Sequence, residues 1–446
     1  MQQSEKTSLY VVVAAASAAT AGLLFGYDVA VLNGALVFLR TSFNLGPVAT
    51  EMLTAILFIG CALGAVLGGW ASDRFGRRFA LFCAGLLFLA GALTAASAHQ
   101  ISQLIIARLM AGMAIGTALL VAPLYIAEIS PAHKRGMLVT LNQLLIVSGT
   151  LLGFVVSYEL AQMPNASWRW MFILDAVPAV ILCISLVWIP ESPRWLLQQG
   201  QRTRAAAVLQ RISPEANVEA TIDEIGAAIR EESGTYRELL SPALRRPLIL
   251  AVMLAIIQQV TGVNTVLYYG AIIFAEHAGA SVSQAIGMNV IVGVVNLLFT
   301  ILGLLLIDKL GRRPLLLTAA AGMCLSLVAF AALLRYMPGH STLLLIPILG
   351  YVACFAFGLG TAVWVCLSEL FPNRIRGRAM SIATMALWFS VTGVTATFLS
   401  AIKLFGASGV FLGYALLCAL SFAYIFFRLP ETKNRTLEEI ESSWTK

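Results

Sequence analysis

Apolar residues run along this chain in long blocks, and polar residues are confined to short gaps and to a few positions inside the blocks. The blocks show neither the alternation of a half-buried strand nor the one-sided stripe of a surface helix. Apolar on every side, they fit helices whose outer face meets hydrocarbon. A span needs about 20 such residues, at ~1.5 Å each, to cross ~30 Å of bilayer core. The blocks predict spans at 9–38, 50–71, 79–98, 101–127, 138–161 and 168–189, and then at 247–275, 285–307, 314–336, 342–370, 378–402 and 407–428. Helix is the expected element, because an open strand leaves its backbone unsatisfied in lipid and the blocks are too long for barrel strands. The expected fold is an all-α membrane protein with twelve transmembrane helices in two six-helix bundles.

Composition agrees with that pattern. Of 446 residues 59% are hydrophobic and 11% charged, with a mean hydropathy of +0.87. Soluble domains carry about a quarter charged residues, so this chain cannot cover a soluble surface. The net charge of +7 would suit nucleic acid if it were clustered on one face. With both termini cytoplasmic, however, only Arg40, Arg169, Arg335 and Lys403 fall outward and Arg108 within a span, while the other Lys and Arg residues face inward. That is the positive-inside bias of a multi-pass protein of the cell (inner) membrane, and it argues against a nucleic-acid partner. The seven cysteines sit inside apolar blocks without paired spacing or histidine neighbours, which indicates neither disulfides nor a metal. The first block is longer than a signal-peptide core, and no small-residue cleavage site follows it. The four histidines lie at span ends or in loops, and no nucleophile–base set appears. Covalent chemistry and a bound cofactor are therefore not expected.

Polar motifs recur between the two sets of spans at a nearly constant offset. Asp73-Arg74-Phe75-Gly76-Arg77-Arg78 returns as Asp308-Lys309-Leu310-Gly311-Arg312-Arg313. Glu128-Ile129-Ser130-Pro131 with Arg135-Gly136 returns as Glu369-Leu370-Phe371-Pro372 with Arg376-Gly377, and Pro190-Glu191 as Pro430-Glu431. Three matches in one order indicate a duplicated six-helix unit, the plan of transporters that hold their solute near the bilayer midplane. The expected domains are an N-terminal bundle at 1–189, a cytoplasmic linker at 190–246, a C-terminal bundle at 247–428 and a tail at 429–446. Within the linker, 202–212 and 218–230 have the periodicity of amphipathic helices.

Ionisable residues inside a span cost about 2.5–3.5 kcal/mol each on insertion scales. Asp28 in the first span and Arg108 in the fourth lie at similar depth and would neutralise one another. The pair is either a proton switch, since burial and a neighbouring cation pull the acid's pKa in opposite directions, or a purely structural salt bridge. Asp175, in the sixth span, is expected near the outer interface, where water reaches it. Gln143, Gln258, Gln259, Asn264 and Asn296 are amides inside apolar runs and should face the interior. Gln258 and Gln259 share no ideal helical face with Asn264, so a local unwinding near Thr261-Gly262 is expected to bring them together. Gly60, Gly64 and Gly68, and likewise Gly112 and Gly116, form small-residue stripes that allow close helix contact.

The chain resembles the sugar porters of the major facilitator superfamily over almost its whole length. Gly26-Tyr27-Asp28, the two Asp-Arg/Lys-x-Gly-Arg-Arg loops, Pro190-Glu191-Ser192-Pro193-Arg194-Trp195, Gln258-Gln259-Val260-Thr261-Gly262-Val263-Asn264 and Pro430-Glu431-Thr432-Lys433 carry the likeness. The resemblance implies alternating-access import of a monosaccharide, hexose or pentose, with a proton as the coupling ion. A uniporter of the same fold is the alternative, and a non-transporting sugar sensor is less well supported. It implies proton coupling at Asp28 and Arg108, and a sugar pocket of Phe25, Gln143, Gln258, Gln259, Asn264, Tyr268, Asn296, Gly360, Trp364 and Trp388, gated by Tyr268 and Tyr269. It also implies that Asp73, Arg77, Arg78, Glu128, Arg135 and Glu191 form inner-side salt bridges across the halves with Asp308, Arg312, Arg313, Glu369, Arg376 and Glu431. Leu387 and Val391 stand where sugar porters present amides, which makes the C-terminal wall more apolar than usual. The implied partners are a small-molecule sugar and the lipid bilayer, with the protein working as a monomer.

Overall fold

Helices make up the regular structure of the computed structural model, which describes residues 9–131, 134–163, 167–212, 217–231, 237–371, 373–431 and 433. His133, Pro372, Thr432 and the tail beyond Lys433, which the sequence reading included, lie outside the described residues. The helices run α1 Leu9–Ser42, α2 Pro47–Phe75, α3 Arg77–Ala96, α4 Ile101–Ile129, α5 Arg135–Ala161 and α6 Ser167–Trp188. Three short ones follow, α7 Pro193–Gln198, α8 Arg202–Ile212 and α9 Val218–Glu231, of which α8 and α9 lie where the two amphipathic segments were expected. Then come α10 Pro242–Val260, α11 Val263–His277, α12 Val282–Leu310, α13 Arg312–Tyr336, α14 Ser341–Cys354, α15 Gly360–Glu369 and α16 Asn373–Arg428.

Eleven helical stretches among the described residues are long and apolar enough to cross a membrane. The last of them, Ile375–Arg428, has 54 residues, which at ~1.5 Å each far exceeds one bilayer. Its backbone leaves the helical region at Gly406, with φ 72° and ψ 157°, in the gap predicted between the eleventh and twelfth spans. Polarity is inverted relative to a soluble protein. Trp188, Leu305, Leu325 and Phe427 are exposed, while Asp28, Arg108, Asp175, Gln258 and Asn296 are buried. Lipid is the solvent that makes such a distribution favourable.

The chain packs as two compact units. One comprises Met1–Asp28, Ile56–Thr150 and Arg169–Glu231, and the other Val29–Ala55, Leu151–Trp168 and Glu232–Lys446. In the first unit the glycine stripes bring α2 and α4 together. A Cβ at Gly64 would lie 2.0 Å from the Met113 carbonyl oxygen, and one at Gly112 would lie 2.1 Å from that of Leu57. The same device joins α1 to α5, where a Cβ at Gly26 would lie 1.8 Å from the Ile146 carbonyl oxygen. In the second unit helices are interrupted where the functional side chains sit. A break at Thr261-Gly262 separates α10 from α11, and a π-helical turn, Phe355–Leu359, separates α14 from α15.

Candidate functional site

In the first unit Arg108 donates through Nη1 and Nη2 to the two carboxylate oxygens of Asp28, at 2.5 and 2.9 Å. Asp28 is 0% exposed and Arg108 2%. The two-pronged geometry offsets desolvation that neither charge could bear alone. The equal depths read from the sequence therefore correspond to a direct pair. Asp175 requires a correction. It is not at a wet interface but is 2% exposed, close enough to Asp28 and Arg108 to feel their charges. Counting residues from the end of α6 gave its depth but not its direction, and it faces the packed interior. Two carboxyls and one guanidinium therefore share this buried region of the first unit. Phe25 and Gln143 of this unit are half-buried.

In the second unit the expected unwinding is present. Gly262 takes the left-handed conformation, φ 88°, which costs a non-glycine residue about 1–2 kcal/mol. The turn gathers the amides into a chain. Gln258 Nε2 donates to the Leu359 carbonyl oxygen at 2.9 Å, Gln259 Nε2 to Gln258 Oε1 at 3.4 Å, and Asn264 Nδ2 to Gln259 Oε1. The Leu359 acceptor closes the π-helical turn just before Gly360, so two helix defects meet at Gln258. Tyr351 Oη donates to the Thr261 carbonyl oxygen at 2.7 Å and pins the break. Asn296 is buried in α12, Trp388 in α16, and Trp364 is half-buried in α15. Tyr268 and Tyr269 are both 0% exposed, and Tyr269 Oη donates to the Thr395 carbonyl oxygen at 2.8 Å. Leu387 and Val391 are buried.

The repeated charged motifs prove to be one device built twice. Glu191 accepts from the backbone N–H of Arg77 at 2.9 Å and of Arg78 at 3.2 Å, the first residues of α3. Glu431 does the same for Arg312 and Arg313 of α13, each at 3.1 Å. A carboxylate at a helix N-terminus meets unsatisfied donors and the positive end of the dipole. Gly76 and Gly311 are obligatory beside it. Their φ values are 106° and 93°, and a Cβ would fall 2.3 Å and 2.8 Å from the capping carboxylates. Arg77 then reaches Asp73 and Glu128, both at 3.1 Å, and Arg312 reaches Asp308 at 2.9 Å and Glu369 at 2.8 Å. Each of these pairs lies within one repeat. Arg135 is exposed, and Arg376 donates to the Phe371 carbonyl oxygen at 3.4 Å. Outside the spans, burial holds the Glu191 carboxyl above its ordinary pKa of 4.5, despite the Ser192, Arg78 and Arg77 N–H groups that favour its charge.

The sequence model of the family described as "Sugar (and other) transporter" matches residues 14–444. The chain belongs to this sugar transporter family. It is 36% identical over 461 aligned positions to the D-xylose-proton symporter of Escherichia coli K12, covering 95% of this chain and 93% of that one. It is 34% identical over 444 positions to the arabinose-proton symporter of Bacillus subtilis, covering 98% and 96%. Its fold matches the inward open conformation of the xylose transporter XylE from E. coli with a TM-score of 0.85 at 33% identity, over 98% of this chain and 100% of that one. This sugar transporter therefore has the major facilitator fold. Sequence reasoning missed Asp175 as a partner of Asp28, and it overlooked Asn33, Glu51 and Asn289, which are buried polar residues of the second unit. The signal available for all four was an ionisable or amide side chain inside an apolar block.

Proposed function

We propose that the protein imports a monosaccharide, a pentose such as xylose or arabinose, together with a proton by alternating access. The observation that carries this reading is the buried, two-pronged Asp28–Arg108 pair inside the spans, with the buried carboxyl of Asp175 beside it. When Asp28 is charged, the two-pronged bond holds α1 to α4. When it is protonated, the bond to Arg108 loses its charge assistance and the helices are free to move. The sugar is held by Gln258, Gln259, Asn264 and Asn296 of the second unit, whose amides both donate to and accept from hydroxyls. Trp364 and Trp388 cover its C–H faces, Gly360 lies beside it at the end of the π-helical turn, and Tyr268 and Tyr269 gate it. A pentose lacks the hydroxymethyl group of a hexose, which suits a wall carrying Leu387 and Val391 in place of amides. The named relatives transport xylose and arabinose, which supports that choice. The inner charged networks, from Asp73 to Glu431, act as clasps that each half assembles for itself. The protein works as a monomer in the cell membrane with both termini in the cytoplasm.

Uptake of labelled D-xylose, L-arabinose and D-glucose into proteoliposomes, with and without an imposed proton gradient, tests the proposal. Pentose accumulation above the external concentration, abolished by a protonophore, is the expected result. Equilibration that ignores the gradient would mean a uniporter.

A further inference from the structure

The break at Thr261-Gly262 leaves a backbone group in need of a partner, and a residue outside every motif supplies it. In an unbroken α-helix the Thr261 carbonyl oxygen would accept from Thr265 N–H. Here that N–H donates to the Gly262 carbonyl oxygen instead, at 3.0 Å, and Thr265 Oγ does so as well, at 2.6 Å. Thr261 is 0% exposed, and a buried acceptor left unmade is costly. The Tyr351 hydroxyl of α14, on a residue 1% exposed, donates to it at 2.7 Å. Tyr351 stands one turn before the π-helical turn, and its own carbonyl oxygen accepts from Phe355 N–H, the first residue of that turn. The last residue of the turn, Leu359, accepts from Gln258. Two bonds of opposite sense therefore tie the helix defects together. A side chain of α14 reaches the break, and a side chain of α10 reaches the π-helical turn. The amide chain hangs between them. Gln258 must turn its NH2 to the Leu359 carbonyl, which only accepts. That leaves Gln258 Oε1 for the Gln259 NH2, and Gln259 Oε1 for the Asn264 NH2. Gln258 and Gln259 belong to the last turn of α10, whereas Asn264 lies beyond the break. Its link in the chain exists only while the break keeps its shape.

Resting on the transport reading above, we propose that Tyr351 is a positioning residue for sugar binding, which acts through the Thr261 carbonyl and does not touch the sugar. Its hydroxyl is the donor that lets Thr265 N–H stay with Gly262. Without it, the Thr261 carbonyl competes for that N–H, and the turn exchanges between broken and rewound forms. The rewound form carries Asn264 away from Gln258 and Gln259, with which it shares no ideal helical face. The sugar then meets a complete amide chain for only part of the time. Phenylalanine at this position keeps the buried ring and removes the donor alone.

The test compares the full chain with Tyr351→Phe, Asn264→Ala and the double variant in lipid nanodiscs and proteoliposomes. Hydrogen–deuterium exchange without sugar reads the break directly. In Tyr351→Phe, exchange across 261–267 is expected to rise about fivefold while that across 77–96 stays unchanged. D-Xylose Kd by calorimetry should weaken about tenfold, and the apparent KM for uptake should rise in step. Turnover at saturating xylose should stay within about twofold, because the loss falls on binding rather than on the later steps. Since Tyr351 acts through Asn264, adding Tyr351→Phe to Asn264→Ala should weaken binding no further. A wild-type xylose Kd in Tyr351→Phe would overturn the proposal. So would a second tenfold loss in the double variant, which would mean that the hydroxyl acts on something other than Asn264. Faster exchange spread over 77–96 as well would mean a merely structural role and would overturn it too. A wild-type protein that binds and takes up no pentose would refute the transport reading, and the sugar-free exchange would still decide whether Tyr351 holds the break.

Discussion

Replacing Asp28 by asparagine removes the charge that Arg108 answers and keeps a side chain of the same shape, so it separates coupling from packing. Asp28→Asn is expected to abolish accumulation against a gradient while leaving sugar exchange intact. Asp175 belongs to the same cluster, and groups that act as a unit are not additive. Asp175→Asn should therefore slow uphill uptake, and the double variant should be no worse than Asp28→Asn alone. Gln258 binds the π-helical turn through Leu359 as well as offering its amide to a sugar. Gln258→Ala removes one or more buried hydrogen bonds, about 1–3 kcal/mol, or roughly five- to 150-fold in pentose Kd by calorimetry. The Asp28–Arg108 pair was legible in the sequence because two opposite charges at one depth inside apolar blocks have few other outcomes. Asp175 and Asn33 were not, because depth along a helix says nothing of azimuth when every face of the helix is apolar.

At the scale of elements, the polar motifs act by interrupting or capping helices. The unwinding at Gly262 could be foreseen, since two glutamines and an asparagine shared no helical face, but the π-helical turn at Phe355–Leu359 left no trace in a run of apolar residues. Gly262→Ala would place a methyl group 2.7 Å from the Tyr414 ring at a positive φ. It should shift Asn264 relative to Gln258 and Gln259 and weaken pentose binding at least tenfold, with the fold retained by circular dichroism. The recurrence of Asp-x-x-Gly-Arg-Arg and Pro-Glu was plain, but its meaning as a capped helix needed the contact between Gly76 and Glu191. Because burial raises the Glu191 pKa, the folded state binds its proton more tightly than the unfolded chain does. The associated stability is fully present below the ordinary value of 4.5 and is lost as pH rises through the raised one. Glu191→Gln should flatten the pH dependence of the melting temperature over that window, whereas Glu191→Ala should lower it at every pH by removing the α3 cap.

For the whole molecule, twelve apolar blocks and a duplicated set of motifs were enough to foresee two six-helix bundles, because hydrocarbon permits so few backbones, and the family resemblance supplied the major facilitator fold. What the duplication did not reveal is the division of labour between the copies. The first unit holds the buried charge cluster, with Asp28, Arg108 and Asp175, while the second holds the broken helices and the chained amides. The account's central claim is that sugar moves only with the proton carried by that cluster. A pH electrode outside proteoliposomes of the purified chain, read as D-xylose is added without a pre-imposed gradient, measures that link directly. The account predicts external alkalinisation with the wild type, saturating with xylose, and none with Asp28→Asn although that variant still exchanges labelled xylose. Xylose entry without a proton signal in the wild type, or an undiminished signal in Asp28→Asn, would contradict it.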